Sequence, residues 1–235
     1  MTPASPYRFK PDRFSSHAQI AADLRRRARS LNRPYTVLDV GCASGFLRAF
    51  LPSSEFRLIG LEYDPALAEQ AGQKYDQVYQ VDLAADFNIP LKEMPDAIVL
   101  ADVLEHLPYP DSSLQRLLRD YAKPGTPIII SLPNVAHLYV RLSLLLGQFN
   151  YSDRGILDRT HLRFYTLKTA RQLCIENGIH LQAIHVTPVP LPLVHPLFGE
   201  GNLLFPIHAI SAWFASVLKG LLAFQFIFSG VYEPY

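Results

Sequence analysis

The segment 37–45, Val-Leu-Asp-Val-Gly-Cys-Ala-Ser-Gly, constrains the fold more than any other part of the 235-residue chain. An apolar run rich in β-branched residues leads into Asp39. Gly41 and Gly45 follow, and residues 46–51 turn helical. That order describes a strand, a tight turn and a helix N-terminus. Glycine permits positive φ and lets the backbone approach a ligand closely. Free N–H groups at the start of a helix favour polar or anionic ligand groups. The next apolar run, 56–61, ends in Glu62. An acidic residue about 20 positions beyond such a turn suits the two hydroxyls of a ribose. The first half of the chain therefore reads as a nucleoside-binding half-sheet. A dinucleotide site asks for Gly-x-Gly-x-x-Gly. Counted from Gly41, Ala43 and Phe46 occupy the second and third places, so that pattern fails twice.

With 49% hydrophobic residues and a net charge of +1, the chain suits one α/β domain with a sizeable core. The charge balance gives no general pull toward nucleic acid. Cys42 and Cys174 stand far apart, which fits a reduced, cytoplasmic setting. Residues 1–13 are proline-rich and expected to be loosely held, and the first ten lack an apolar signal core.

Ile20, Leu24, Ala28 and Leu31 recur at helical spacing and predict a helix over 17–31. Its Arg25, Arg26, Arg27 and Arg29 read as a solvated face. Asp64 and Pro65 open the next helix, which runs to about residue 74. A third strand, 78–81, ends at Asp82 and Leu83. Residues 95–101 form an apolar central parallel strand, followed by Asp-Val-Leu-Glu-His-Leu at 102–107. Asp111 caps a helix over 114–122, and a fifth strand covers 127–132. Strands alternating with helices indicate a parallel, doubly wound sheet.

Beyond Asn134 come an apolar helix, 136–148, and a polar, aromatic, irregular stretch, 150–166. A helix from Thr166 to about 177 and a sixth strand, 179–189, follow. Residues 221–228 read as a seventh strand. That leaves 190–219 as an insertion with an apolar helix over 207–218. Ile207, Ile210, Trp213, Phe214, Val217 and Leu218 form its apolar stripe, with Ala209, Ala212, Ser216 and Lys219 facing away. Pro206, His208, Lys219, Gly220 and Gln225 argue against a membrane span over 203–231.

Asp39, Gly41, Ala43 and Gly45 resemble the first motif of class I S-adenosylmethionine-dependent methyltransferases, with alanine in place of the middle glycine. Residues 100–107 and Ser-Leu-Pro-Asn at 131–134 look like the fourth and fifth motifs, so the resemblance covers residues 35–134. It implies a single methyltransferase domain over 1–235. The implied fold is a Rossmann-like, seven-stranded, mostly parallel sheet with an antiparallel last strand and helices on both faces. It implies S-adenosylmethionine as cofactor. Glu62 would lie at the ribose, Tyr63 beside the cofactor, Asp82 at the adenine amino group and Leu83 beside the ring. Ala101 and Asp102 would border the cofactor, and residues 131–134 would sit at the site edge.

Methyl transfer from a sulfonium is an in-line displacement, so the protein mainly positions two reactants. A hydroxyl acceptor also needs a base. His106 and His161 are the two candidates, each with an alternative role as a loop support. Asp102, Glu105, His106 and His161 are together similar to the metal-binding set of small-RNA terminal-ribose methyltransferases, where Asp102 has a glutamate counterpart. That similarity makes a divalent metal an option. Residues 135–165 and 190–219 are expected as acceptor-side cover over the carboxyl ends of the strands. They point to a small or lipid-linked acceptor, methylated at oxygen. For the apolar stripe, a homodimer face and a peripheral membrane contact are the alternatives. Arg154, Arg159 and Arg163 either pair with an anionic group or stay solvated. The competing classes are a non-catalytic nucleoside-binding module and a dinucleotide-dependent oxidoreductase.

Overall fold

A computed structural model describes residues 12–29 and 31–234. The loose segment expected at the N-terminus lies almost wholly outside the described residues. Seven strands form one sheet in the order β3-β2-β1-β4-β5-β7-β6. They are β1 (Tyr35–Val40), β2 (Phe56–Glu62), β3 (Gln77–Gln80), β4 (Ala97–Ala101), β5 (Pro127–Pro133), β6 (Ile179–Thr187) and β7 (Gln225–Tyr232). The pairs β1–β2, β1–β4, β2–β3 and β4–β5 are parallel, and β7 runs antiparallel to both β5 and β6. This is the Rossmann-like arrangement the sequence implied. The strand order reverses between β1 and β4, so the crevice at their carboxyl ends is where such a sheet binds ligands.

The central strands are buried throughout or nearly so. That is why they read as continuous apolar runs. One face carries α1 (Ser16–Ala28), whose Ile20 and Leu24 pack with Val37, Leu58 and Val99. The other carries α3 (Pro110–Tyr121) and α5 (Leu167–Glu176), where Leu114, Leu117 and Leu173 meet Leu38, Ile98 and Ile130. Asp64 caps α2 (Pro65–Gly72) by accepting from Ala66 N and Leu67 N. Thr166 and Thr169 form a reciprocal capping box at the start of α5.

Several expectations need correction. The helix expected over 46–51 is one 3-10 turn, Phe46–Ala49. The third helix starts at Pro110, whose fixed φ suits the first turn, so Asp111 lies inside it and does not cap it. The helix after β5 is only α4 (Leu138–Leu145). Residues 221–222 belong to a short helix, α8 (Lys219–Leu222), so β7 starts later and ends later than expected. Of the four arginines at 25–29, Arg25, Arg26 and Arg29 are exposed as expected, and Arg27 is the half-buried exception. Arg27 donates to Gln182 and Ser229, and Arg26 pairs with the buried Asp23, which pins α1 to the β6–β7 pair.

The insertion between β6 and β7 holds α6 (Leu191–Val194), a 3-10 turn and α7 (Phe205–Val217). The orientation of α7 is the reverse of the one expected. His208 and Ala215 are its buried residues, whereas Ile207, Ile210, Trp213, Phe214, Val217 and the following Leu218 are exposed. Among the described residues no helix is long and apolar enough to cross a membrane.

Asn134, at the end of β5, is fully buried. Its side-chain amide donates to Ala223 O at 2.9 Å and its oxygen accepts from Ala136 N at 3.0 Å. It joins the exit of β5 to the entry of β7. Asn134→Ala should cost about 2–3 kcal/mol by leaving that carbonyl unpaired. Urea unfolding should show the loss, and cofactor affinity in the protein that remains folded should be unchanged.

Candidate active site

A cavity of about 760 Å³ opens at the carboxyl ends of β1, β2 and β4. Its nucleoside side is built by the loop after β1. Gly41, Ala43 and Gly45 all have positive φ, at 67°, 47° and 76°. A Cβ on Gly41 would lie 2.5 Å from Val103 Cγ2, so glycine is required there for space as well as for conformation. Ala43 is an alanine in the left-handed region. Glu62 compensates: one carboxylate oxygen accepts from Ala43 N at 2.8 Å, and the other accepts from Tyr63 N and Asp64 N.

Of the expected cofactor residues, Asp39, Gly41, Ala43, Glu62, Tyr63, Asp82, Leu83, Ala101 and Asp102 all line the cavity. Gly45 does not; it lies behind the loop against Tyr75. Asp82 Oδ1 also accepts from Ala84 N, so the residue both faces the cavity and caps its own turn. Asp39 is buried and accepts from the Tyr75 hydroxyl at 2.5 Å. Burial pushes its carboxyl up to about 7; the Tyr75 hydrogen bond opposes this and the Glu62 charge adds to it.

The opposite wall is formed by residues 101–108 and 150–161. Asp102 has φ 58°. Its carboxylate accepts from Ser131 Oγ and Gln225 Nε2, each at 2.6 Å. Beyond it, Glu105 O accepts from Leu162 N at 2.8 Å and from Arg163 N at 3.0 Å. That pairing brings His161 to His106, with ring centroids 4.8 Å apart. Glu105 itself is fully buried, and among the described residues neither carboxyl oxygen has a hydrogen-bond partner. Burial, and then the Asp102 charge, hold its carboxyl well above the usual range. His161 Nδ1 faces Ile156 O at 3.1 Å and His106 Nδ1 faces Thr160 O at 3.3 Å. Donation to a carbonyl there leaves each Nε2 as the basic nitrogen. Burial and the neighbouring His106 hold the His161 pKa below its ordinary value.

The metal set expected from the sequence is only partly assembled. Glu105, His106 and His161 offer ligand atoms within 4.8 Å of one another. Asp102 is outside that group because Ser131 and Gln225 take its carboxylate. The three residues fit a divalent cation: an unpartnered buried carboxyl and two imidazoles whose other nitrogens are fixed by carbonyls are a suitable donor set. Tyr139, Pro190, Leu193 and Val194, from the stretches expected as acceptor-side cover, line the cavity as well, and so does Gln225, which the sequence reading left outside the site. Gln225 carried a signal, as the polar residue within the apolar run 221–228.

A family model described as a methyltransferase domain matches residues 12–183. Fold and sequence together define a class I S-adenosylmethionine-dependent methyltransferase. The chain belongs to this methyltransferase-domain family. A search of curated proteins finds no match. Among solved structures, an S-adenosylmethionine-dependent methyltransferase from Archaeoglobus fulgidus is 19% identical, with a TM-score of 0.57 over 92% of this chain and 95% of its own. Magnesium protoporphyrin IX methyltransferase from Synechocystis PCC 6803, with S-adenosylhomocysteine bound, is 16% identical, with a TM-score of 0.60 over 94% and 83%. A possible histamine N-methyltransferase from Thermotoga maritima is 14% identical, with a TM-score of 0.54 over 92% and 91%.

Two outcomes follow from the nucleoside side. Ala43→Gly should stabilise the protein by about 0.5–1 kcal/mol, because glycine relieves the left-handed strain. Gly41→Ala should destabilise it by about 2–3 kcal/mol through the Val103 contact; thermal melts of both variants check this pair. A third outcome concerns pH. The folded state holds a proton on Asp39 that the unfolded chain releases above 3.8, so stability falls as pH rises from there to about 7. Asp39→Asn should remove that slope, a difference on the order of a few kcal/mol between wild type and variant across the window.

Proposed function

We propose that the protein transfers the methyl group of S-adenosylmethionine to an oxygen of a small or lipid-like acceptor, with His161 as the base. The observation that carries this reading is the Glu105–His106–His161 cluster facing the nucleoside residues across one cavity. On this reading Glu62 holds the ribose, and Asp82 and Leu83 receive the adenine. The acceptor oxygen attacks the methyl carbon as the carbon–sulfur bond breaks. Its proton passes to His161 Nε2, leaving the demethylated cofactor and an ether or ester. The depressed pKa of His161 keeps the imidazole neutral and able to accept that proton. His106 positions His161 from the side, and Glu105 remains protonated beneath both.

A second reading is favoured by the two unpartnered Glu105 oxygens. Glu105, ionised, would hold a divalent cation with His106 and His161. Such an ion supplies a Lewis acid that binds an acceptor hydroxyl and lowers its pKa.

Calorimetry should show S-adenosylmethionine and S-adenosylhomocysteine binding and NAD silent, with Glu62→Ala weaker by about 1–3 kcal/mol. His161→Ala should lower turnover by roughly 10²–10⁴-fold with cofactor affinity near normal. The turnover assay follows label from a radiolabelled methyl donor into products made from cell extract. Full activity in a chelator supports His161 as an unassisted base. Loss in chelator, with recovery on adding Mg²⁺ or Mn²⁺, supports the cation. A His161→Ala protein that turns over normally defeats both.

A further inference from the structure

The packing of α7 is inverted with respect to size. Its inward residues, His208 and Ala215, include no large apolar side chain, and His208 is paired with Asp12 at 2.7 Å. Its outward residues are large, with Trp213 59% exposed beside Phe214, Ile210 and Val217. From Gly201 to Leu218 the chain has no Asp, Glu, Lys or Arg. Water is a poor environment for such a face, and an apolar patch of this kind marks a contact surface.

The 3-10 turn Pro196–Phe198, with Leu197 exposed, packs against both α7 and α6 and links this surface to the cavity. Leu193 and Val194 of α6 line the cavity, and Val194 is 73% exposed. Tyr139 of α4 also lines the cavity, and Leu145 of the same helix is 83% exposed. Two helices with exposed apolar residues, α4 and α6, therefore border the cavity.

We propose that this face docks on a lipid bilayer, so that the acceptor enters the cavity from the membrane. The proposal rests on reading the cavity as the acceptor site. A protein partner seated on α4, α6 and α7 together would cover the cavity they border, whereas a bilayer can supply an apolar acceptor through the same face. Taken alone, one face of α7 is about 20 Å by 10 Å, on the order of 200 Å², against about 800 Å² per partner in a standard protein interface. At that length α7 is also too short to cross a hydrocarbon core of about 30 Å. It lies in the interface plane with its apolar face down, where a tryptophan is favoured.

Trp213 is the single tryptophan of the chain, so its emission reports on docking directly. The full chain is titrated with vesicles of phosphatidylcholine, alone and mixed with phosphatidylglycerol. Emission should shift to the blue and be quenched by brominated lipid. The double variant Ile210→Ser/Val217→Ser, at exposed positions, should bind vesicles about tenfold or more weakly, with an unchanged melting temperature and unchanged S-adenosylmethionine affinity. Emission that neither vesicle changes, in protein that still binds S-adenosylmethionine, overturns the docking and leaves the methyl-transfer reading intact. Sedimentation as a dimer that the double variant dissolves, with no vesicle binding, overturns it in favour of a second copy. Failure of the wild type to bind S-adenosylmethionine instead counts against the functional reading beneath it.

Discussion

The site depends on one carboxylate held between two strands. Asp102 leaves β4 in the left-handed region, a conformation that costs an L residue roughly 1–2 kcal/mol. Hydrogen bonds from Ser131 on β5 and Gln225 on β7 hold it there. Bonds to an ionised acceptor are about twice as strong as neutral ones, so two of them exceed the strain. The turn that results carries residues 104–106 along the cavity wall before α3 begins at Pro110. Glu105 sinks beneath that wall and turns its carbonyl toward Leu162 and Arg163. The irregular stretch 150–166 thus takes its position from the exit of β4. The bridge of Asn134 to Tyr165 adds a second fixed point beside the end of β5.

Backbone strain is concentrated where the chemistry would occur. Among the described residues, the non-glycine positions with positive φ are Ala43 and Asp102, and both line the cavity. Each is held by a carboxylate hydrogen bond to a neighbouring element, Glu62 in one case and Asp102's own side chain in the other. Strain persists only where surrounding structure over-determines it, and it clusters at functional sites for that reason. Two of the buried acids stand at the cavity as well. Asp39 and Glu105 sit on opposite walls, and both are pushed toward the neutral form chiefly by burial. An apolar interior tolerates a neutral acid far better than a charged one.

Much of the cavity wall built by the loop after β1 and the end of β2 was legible because its signals are local. A β-branched run, two glycines and an acidic residue at a set distance each reflect a constraint within a few residues. The glycine requirement at Gly41 is visible as a letter, although its cause, Val103, is about 60 positions away. The acceptor half was less legible because its constraints are long-range. Nothing near Asp102 reveals that Ser131 and Gln225 take its carboxylate, which sets it apart from the cluster of Glu105, His106 and His161. Helix ends near Asp111 and residue 221 were misplaced for a simpler reason: proline and a short helical turn fit those positions equally well, and tertiary contacts decided between them.

The reversed face of α7 has a more general cause. Helical periodicity identifies a stripe of large apolar residues and says nothing about whether the partner of that stripe lies inside the molecule or outside it. A helix laid against the edge of a finished sheet needs close backbone approach, which small residues such as Ala215 permit and Trp213 would prevent. The core beneath was already complete: Val186, Ala223, Phe226 and Phe228 are buried there, and the wide stripe would have found no room among them. The same sequence pattern then has the opposite placement, with the small face bound to the protein and the large face left for whatever meets the cavity mouth.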